Sequence, residues 1–226
     1  MRLLAIGDIH GCFRSLSTLI EAVELMPDDT LVTLGDYVNR GPNTHAVIDW
    51  LIHRSQIGHL VPLKGNHEMM MLNARRSEEA FEFWLDTGGK QTLASYSHFD
   101  DDGRLADVPE SHWDFLENEL RNYYETARHF FVHANAYPDL PLHEQPEYKL
   151  FWEFIDESPP PHFSGKTMIC GHTSQKSGEP LNLGHAVCID TAACKGGWLT
   201  CLDVNTGEYW QANEAGEVRT GFLNFG

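Results

Sequence analysis

The chain has 226 residues, 42% of them hydrophobic, which is enough to fill a core and excludes global disorder. Its 16 basic and 33 acidic residues leave a formal charge of −17. That charge disfavours nucleic-acid polymers and anionic membranes as partners, but not an anionic substrate met by metal ions that supply local positive charge. No apolar run reaches the roughly 18 residues of a membrane-spanning helix, and Asp8 and His10 interrupt the apolar start before signal-peptide length. The five cysteines are odd in number and lack CxxC spacing, so they read as free thiols in a reducing compartment. The expectation is a cytoplasmic protein forming one domain over residues 1–226.

In chain order, Leu3 to Ile6 is a short apolar run that ends at Gly7-Asp8. Leu31 to Leu34 repeats the pattern and ends at Gly35-Asp36, and Leu60 to Leu63 leads to Gly65-Asn66. Each run has strand length and breaks at glycine. Between them, Leu16, Leu19, Ile20, Val23 and Glu24, then Ala46, Val47, Trp50 and Leu51, follow the helical period. Strands alternating with helices predict βαβ units with parallel pairing, and ligands in such sheets sit at the carboxyl ends of strands. The middle, from Ser77 to Asn122, predicts helices, with Glu82-Phe83-Trp84 and Trp113-Phe115-Leu116 packing inward. Asp100-Asp101-Asp102-Gly103 reads as a solvated turn, without the spacing or final Glu of a calcium loop. The last third predicts strands at Phe130 to Val132, Met168 to Cys170, Ala186 to Ile189, Trp198 to Leu202 and Glu208 to Trp210. Asn205-Thr206-Gly207 forms a hairpin turn between the last two, and Pro159-Pro160-Pro161 is a stiff connector.

Five motifs follow predicted strands: Gly7-Asp8-Ile9-His10-Gly11, Gly35-Asp36-Tyr37-Val38-Asn39-Arg40-Gly41, Gly65-Asn66-His67-Glu68, Val132-His133-Ala134 and Gly171-His172-Thr173. Their oxygen and nitrogen donors suit Mn, Fe or Zn. Asp8 and His10, two apart, can both reach a metal from an extended strand end, and Asp36 can bridge two metals. His45, His53, His59, His98, His112, His129, His143 and His162 lack such settings and read as surface or core histidines. His185 reads as structural, and Asp190-Thr191 as support for the site.

Together the motifs resemble those of the phosphoprotein phosphatase family of calcineurin-like metallophosphoesterases, in the form of its small bacterial and phage Ser/Thr members. The resemblance covers about residues 1 to 205. It implies an α/β fold: a metallophosphoesterase β-sandwich flanked by helices, with a binuclear metal site at the strand ends. It also implies Asp8, His10 and Asp36 at one metal, and Asp36, Asn66, His133 and His172 at the other. His67 would be the general acid, and Arg40, with Asn66 and His67, would bind the phosphoryl group. The cofactors would be two divalent ions, Mn²⁺ in vitro or else Fe or Zn. They would activate a bridging hydroxide for direct attack on a phosphate monoester of a protein or small molecule, with no covalent intermediate.

Two departures from the family pattern stand out. Asn39 occupies the position of an Asp that would favour a protonated His67, so Asn39 is expected to accept a hydrogen bond from His67 without stabilising an imidazolium. The interval between the His133 and His172 motifs has no arginine, only Lys149 and Lys166, and Lys149 reads as a solvated surface lysine. Hydrolysis of dinucleoside polyphosphates, a related activity, is the alternative, with Tyr37 or Tyr137 as stacking partners. A non-catalytic metal-binding homologue is a further one, against which the complete ligand set argues.

Overall fold

The computed structural model describes residues 1–97 and 102–224, so His98, Asp100 and Asp101 lie outside the described residues. The first half alternates β1 (Leu3–Ile6), α1 (Phe13–Val23), β2 (Thr30–Thr33), α2 (Thr44–Ile57) and β3 (His59–Pro62), with β1, β2 and β3 paired in parallel. Helices α3 (Asn66–Ala74), α4 (Glu78–Trp84), α5 (Lys90–Tyr96) and α6 (Glu110–Asp114) follow, and π-turns continue α4 and α6. The second half holds β4 (Tyr123–Glu125), β5 (His129–Val132), α7 (Glu147–Phe151), β6 (Thr167–Cys170), β7 (Leu181–Asn182), β8 (Ala186–Cys188), β9 (Leu199–Asp203), β10 (Glu208–Ala212) and β11 (Val218–Phe222). Among the described residues these strands form a six-stranded sheet, β11-β10-β9-β1-β2-β3, and a five-stranded sheet, β4-β5-β6-β8-β7.

The strand periodicity of two explains why the central strands are apolar throughout. Leu4, Ile6, Leu31, Leu199 and Cys201 face the helices α1 to α6. Their neighbours Ala5, Val32 and Leu202 point the other way and meet Phe131, Ile169 and Val187 of the second sheet. The outward residues of that second sheet, Phe130, Val132, Met168, Cys170, Ala186 and Cys188, are covered by Leu150, Phe151 and Ile155. The result is a two-sheet sandwich with helices on its outer faces. The carboxyl ends of β1, β2 and β3 and those of β5 and β6 lead into the same five loops that carry the motifs.

Strands β4, β7 and β11 have too little patterning to be visible in the sequence. Phe83, expected inside, is 57% exposed; Trp84 beside it takes the buried position. The Asn205-Thr206-Gly207 hairpin joins β9 to β10 as expected, with Gly207 at φ 85°.

One ion pair fastens the start of the chain to the sheet. Asp29, buried before β2, accepts from Arg2 Nε at 3.1 Å, from Arg2 N at 3.0 Å and from Met26 N at 2.9 Å. Burial pushes the Asp29 carboxyl up, but the Arg2 and backbone donors outweigh it and hold it at about 2. A depressed folded-state value gives stability that is present above the unfolded value near 3.9 and lost as pH falls toward 2. Asp29→Asn is therefore expected to lower stability by roughly 1–2 kcal/mol at pH 7, with the gap from wild type closing below about pH 4 in urea titrations. A gap that stays constant down to pH 3 would contradict this.

Candidate metal centre and cleft

The site is built by loops whose backbone is bent sharply. Among the described non-glycine residues, positive φ occurs at His10, Asp36, Asn39, Arg40 and His172, all in the motifs, and elsewhere only at Glu24 and Ala192. Such strain persists only where the surroundings over-determine it. Glu68 is one cause: its fully buried carboxylate accepts from the N–H groups of Asp36 (2.8 Å), Tyr37 (2.7 Å), Val38 (3.2 Å) and Gly65 (2.9 Å). It thereby clamps the loop after β2 to the start of α3. Close approach also dictates glycine, since a β-carbon on Gly65 would overlap Asp36 Oδ1 and one on Gly171 would overlap Asp8 Oδ1.

Asp36 lies at the centre. Its Oδ2 is 3.4 Å from His10 Nε2 and 3.9 Å from His67 Nε2, while its Oδ1 is 3.5 Å from His133 Nε2. The donor atoms of Asp36, His133 and His172 lie within 4.8 Å of one another, as do those of His10, Asp36 and His67. Asp8 accepts the His172 N–H with both oxygens, at 3.1 and 3.2 Å.

Hydrogen bonds on the far side of three imidazoles set their tautomers. His10 Nδ1 donates to Val38 O at 2.9 Å, His133 Nδ1 to Leu34 O at 2.8 Å, and His172 Nε2 to Trp152 O at 3.1 Å. A neutral imidazole has one N–H, so the other nitrogen of each presents a bare lone pair to the site. The bare His133 Nε2 faces Asn66 Oδ1 at 3.0 Å, two acceptors with no hydrogen to share. A cation satisfies both. Burial, reinforced by the Arg40 guanidinium, pushes His10 down to about 3, and burial likewise keeps His133 neutral. Burial and neighbouring carboxylates push Asp8 and Asp36 well up. Several buried carboxylates beside neutral, outwardly hydrogen-bonded imidazoles form a donor set that fits divalent ions. By position, Asp8, His10 and Asp36 would hold one ion, and Asp36, Asn66, His133 and His172 the other.

His67 differs from the other three. Its Nδ1 lies 2.7 Å from Asn39 Nδ2, and the orientation of that amide is fixed. Trp84 Nε1, which can only donate, gives its hydrogen to Asn39 Oδ1 at 2.8 Å, and Thr92 Oγ1 donates to the same oxygen at 3.2 Å. The Asn39 N–H returns a bond to Thr92 Oγ1 at 2.8 Å. Asn39 therefore donates to His67, and the expectation that it accepts is corrected. The acceptor on Asn39 is already used by an indole that no sequence spacing links to it. Neutral His67 must carry its proton on Nε2, facing the site, which makes it a hydrogen-bond donor rather than a ligand.

Arg40 donates through one guanidinium nitrogen to His10 Nε2 at 2.7 Å and must release that lone pair when His10 ligates an ion. The cleft around these groups, about 510 Å³, is lined also by Lys195, Lys176, Ser174, Trp152 and Phe154. Lys195 stands close enough to help lower His10 and to offset part of the burial that raises Asp190, so it adds positive charge to the cleft. It lies on the short helical turn Ala193–Lys195, five residues past Asp190, and no motif in the sequence marked it. Lys149 is not the solvated lysine expected: it is buried, paired with Glu153 and set over the Tyr137 ring at 4.6 Å. Lys166 pairs with Glu125 at 2.8 Å. Tyr37 is fully buried and donates to Leu63 O at 2.6 Å, so it cannot stack on a substrate, and Tyr137 is taken up by Lys149. Among the described residues lining the cleft, the exposed aromatic faces are those of Trp152 and Phe154, the latter stacked on His172 at 4.9 Å between ring centres. His185 bonds Pro159 O at 2.7 Å, a structural contact.

Residues 1–185 match the model of the calcineurin-like phosphoesterase family. Over 85 residues the chain is 38% identical to serine/threonine-protein phosphatase 1 of Salmonella typhimurium, a stretch covering 37% of each chain. Over 74 residues it is 39% identical to a symmetrical bis(5'-nucleosyl)-tetraphosphatase of Chromobacterium violaceum, covering 32% of this chain and 26% of that one. The matched stretch is thus between about a quarter and just over a third of these relatives' length. Among solved structures, a candidate diadenosine tetraphosphatase aligns with a TM-score of 0.67 at 20% identity, covering 100% of this chain and 95% of that one. A cold-active protein tyrosine phosphatase aligns at 0.65 with 17% identity, covering 97% and 78%. At those identities the likeness is one of fold.

Proposed function

The chain belongs to the calcineurin-like phosphoesterase family, and from that premise we propose that it is a metal-dependent phosphohydrolase for substrates whose leaving group departs as a stable anion. Nucleoside polyphosphates are the foremost class and aryl phosphates the next. The observation that carries this reading is the amide hydrogen that Asn39 directs at His67 Nδ1.

Divalent ions, when bound, supply Lewis acidity toward phosphoryl oxygens and lower the pKa of water. The chain's own groups do the rest. Arg40 offers a planar fork suited to phosphate, and Lys195 and Lys176, which also line the cleft, add charge. His67 presents Nε2–H to the cleft as a neutral donor. It can steady a phosphoryl or leaving oxygen, but giving up that proton would leave an imidazolate. A second proton on Nδ1, which would make it a strong acid, meets the Asn39 amide instead of a carboxylate. An alkoxide leaving group, with a pKa on the order of water's 15.7, needs a proton at departure. A phosphate leaving group, with a second pKa about 6, does not. Trp152 and Phe154 at the cleft edge offer flat faces of the kind on which a nucleobase stacks.

A second reading, a Ser/Thr protein phosphatase of broad specificity, is supported by the five motifs and by the stretch shared with serine/threonine-protein phosphatase 1. Initial rates on diadenosine tetraphosphate and on a phosphoserine peptide, side by side with protein reloaded with Mn²⁺, separate the two. Faster tetraphosphate turnover is expected. Faster peptide turnover would favour the second reading, and no turnover of either with metal bound would contradict both.

A further inference from the structure

Two histidines outside the motifs, His45 and His112, come together in the fold around one carboxylate. His45 and Asp49 lie one turn apart on α2, so their side chains leave the same face of the helix. His112 projects from α6 to meet them. The two oxygens of Asp49 face separate imidazoles: Oδ1 is 3.0 Å from His112 Nε2 and Oδ2 is 3.4 Å from His45 Nε2. One donor atom from each of the three residues falls within 4.8 Å of the other two. The rings of His45 and His112 are 5.3 Å apart at 45°. Behind them, His112 Nδ1 is 2.9 Å from the buried Tyr96 hydroxyl, which can take the Nδ1 hydrogen and leave Nε2 free to ligate.

We propose that His45, Asp49 and His112 form a separate site for a divalent transition-metal ion, of zinc or cobalt character, that fastens α2 to α6. Two imidazoles and one carboxylate are the donor set such ions take, and water can complete a tetrahedron from the open side, where His45 and Asp49 are 40% and 60% exposed. Without an ion, His112 makes the one close hydrogen bond to Asp49, at 3.0 Å, and His45 only the longer 3.4 Å contact to the other oxygen. The site shares no residue with the catalytic cleft. It is nonetheless connected to it by short contacts, because Tyr96 and Thr92 are one turn apart on α5 and Thr92 holds Asn39. In addition, His45 N–H donates to Ser95 Oγ at 3.1 Å.

The test is zinc content by mass spectrometry after the metal-free full chain is equilibrated with micromolar Zn²⁺. Wild type, His45→Ala, Asp49→Ala, Asp36→Asn and, as a control for chance binding, His143→Ala are compared. The exposed positions His45 and Asp49 are chosen because their loss leaves the buried His112–Tyr96 contact in place. His45→Ala and Asp49→Ala are each expected to bind one zinc fewer per chain than wild type, to lose the corresponding cobalt absorption band, and to keep the wild-type phosphohydrolase rate in Mn²⁺. Asp36→Asn is expected to retain that one ion, and His143→Ala to bind as wild type. Zinc content equal to wild type in both His45→Ala and Asp49→Ala would overturn the proposal, as would an equal loss in His143→Ala.

Discussion

Asp36→Asn is expected to lower kcat/KM by more than about a hundredfold, the loss that removing a mere supporting partner of a ligand already produces. Asp36 is the one side chain common to both clusters of donor atoms. Asparagine keeps its volume and its acceptor for His67 N–H, 3.0 Å away, so the loop after β2 should stand. What is lost is the charge that draws the ions. Thermal melts add a second readout with a definite sign. Burial and the Glu68 carboxylate push Asp36 well above its ordinary value. In metal-free protein a raised carboxyl costs stability as pH rises from its unfolded value near 3.9. In chelator, Asp36→Asn should therefore melt above wild type by a margin that grows from pH 4 to pH 7. In Mn²⁺ the order should reverse, because wild type gains stability from the ions it binds. Equal melting gains from Mn²⁺ in both proteins would contradict the assignment of Asp36.

Asn39→Asp is expected to raise kcat on an alkyl phosphate by about tenfold or more, a fraction of the roughly 10²–10⁴-fold that general-acid catalysis supplies. It should change the rate on nucleoside polyphosphates little. The pocket for the carboxylate already exists. Trp84 Nε1–H and Thr92 Oγ1 would donate to one oxygen as they now do to Asn39 Oδ1. The other oxygen would replace the amide nitrogen 2.7 Å from His67 Nδ1, accept a hydrogen there and favour the doubly protonated ring. An alkyl phosphate rate that stayed the same or fell would show that the amide does not limit His67.

The fold was legible where strands end in chemistry. Leu3 to Ile6, Leu31 to Leu34 and Leu60 to Leu63 are apolar on both faces because helices cover one side and the second sheet the other. Their glycine corners mark where the backbone must turn toward the site. The groups around Asp8, Asp36, Asn66, His133 and His172 could be singled out because each follows its own strand, and the family resemblance suggested their roles. The partners that decide the chemistry could not. Trp84 and Thr92 reach Asn39 from 45 and 53 residues away, through helices whose packing no local pattern encodes. Lys149 looked like surface from composition, yet Glu153 one turn on and the Tyr137 ring bury it. His45 and His112 looked unremarkable because their common partner, Asp49, joins them only in three dimensions.

On the proposed reading, His67 acts as a neutral donor because Asn39 gives it a hydrogen instead of a negative charge. The most direct test is the dependence of kcat on leaving-group pKa for a series of aryl and alkyl phosphates, with Mn²⁺ present. A rate that falls steeply as leaving-group pKa rises in wild type, and less steeply in Asn39→Asp, is the predicted result. A flat dependence in wild type would mean the leaving oxygen is fully protonated as it departs, and would contradict the role assigned to the Asn39–His67 pair.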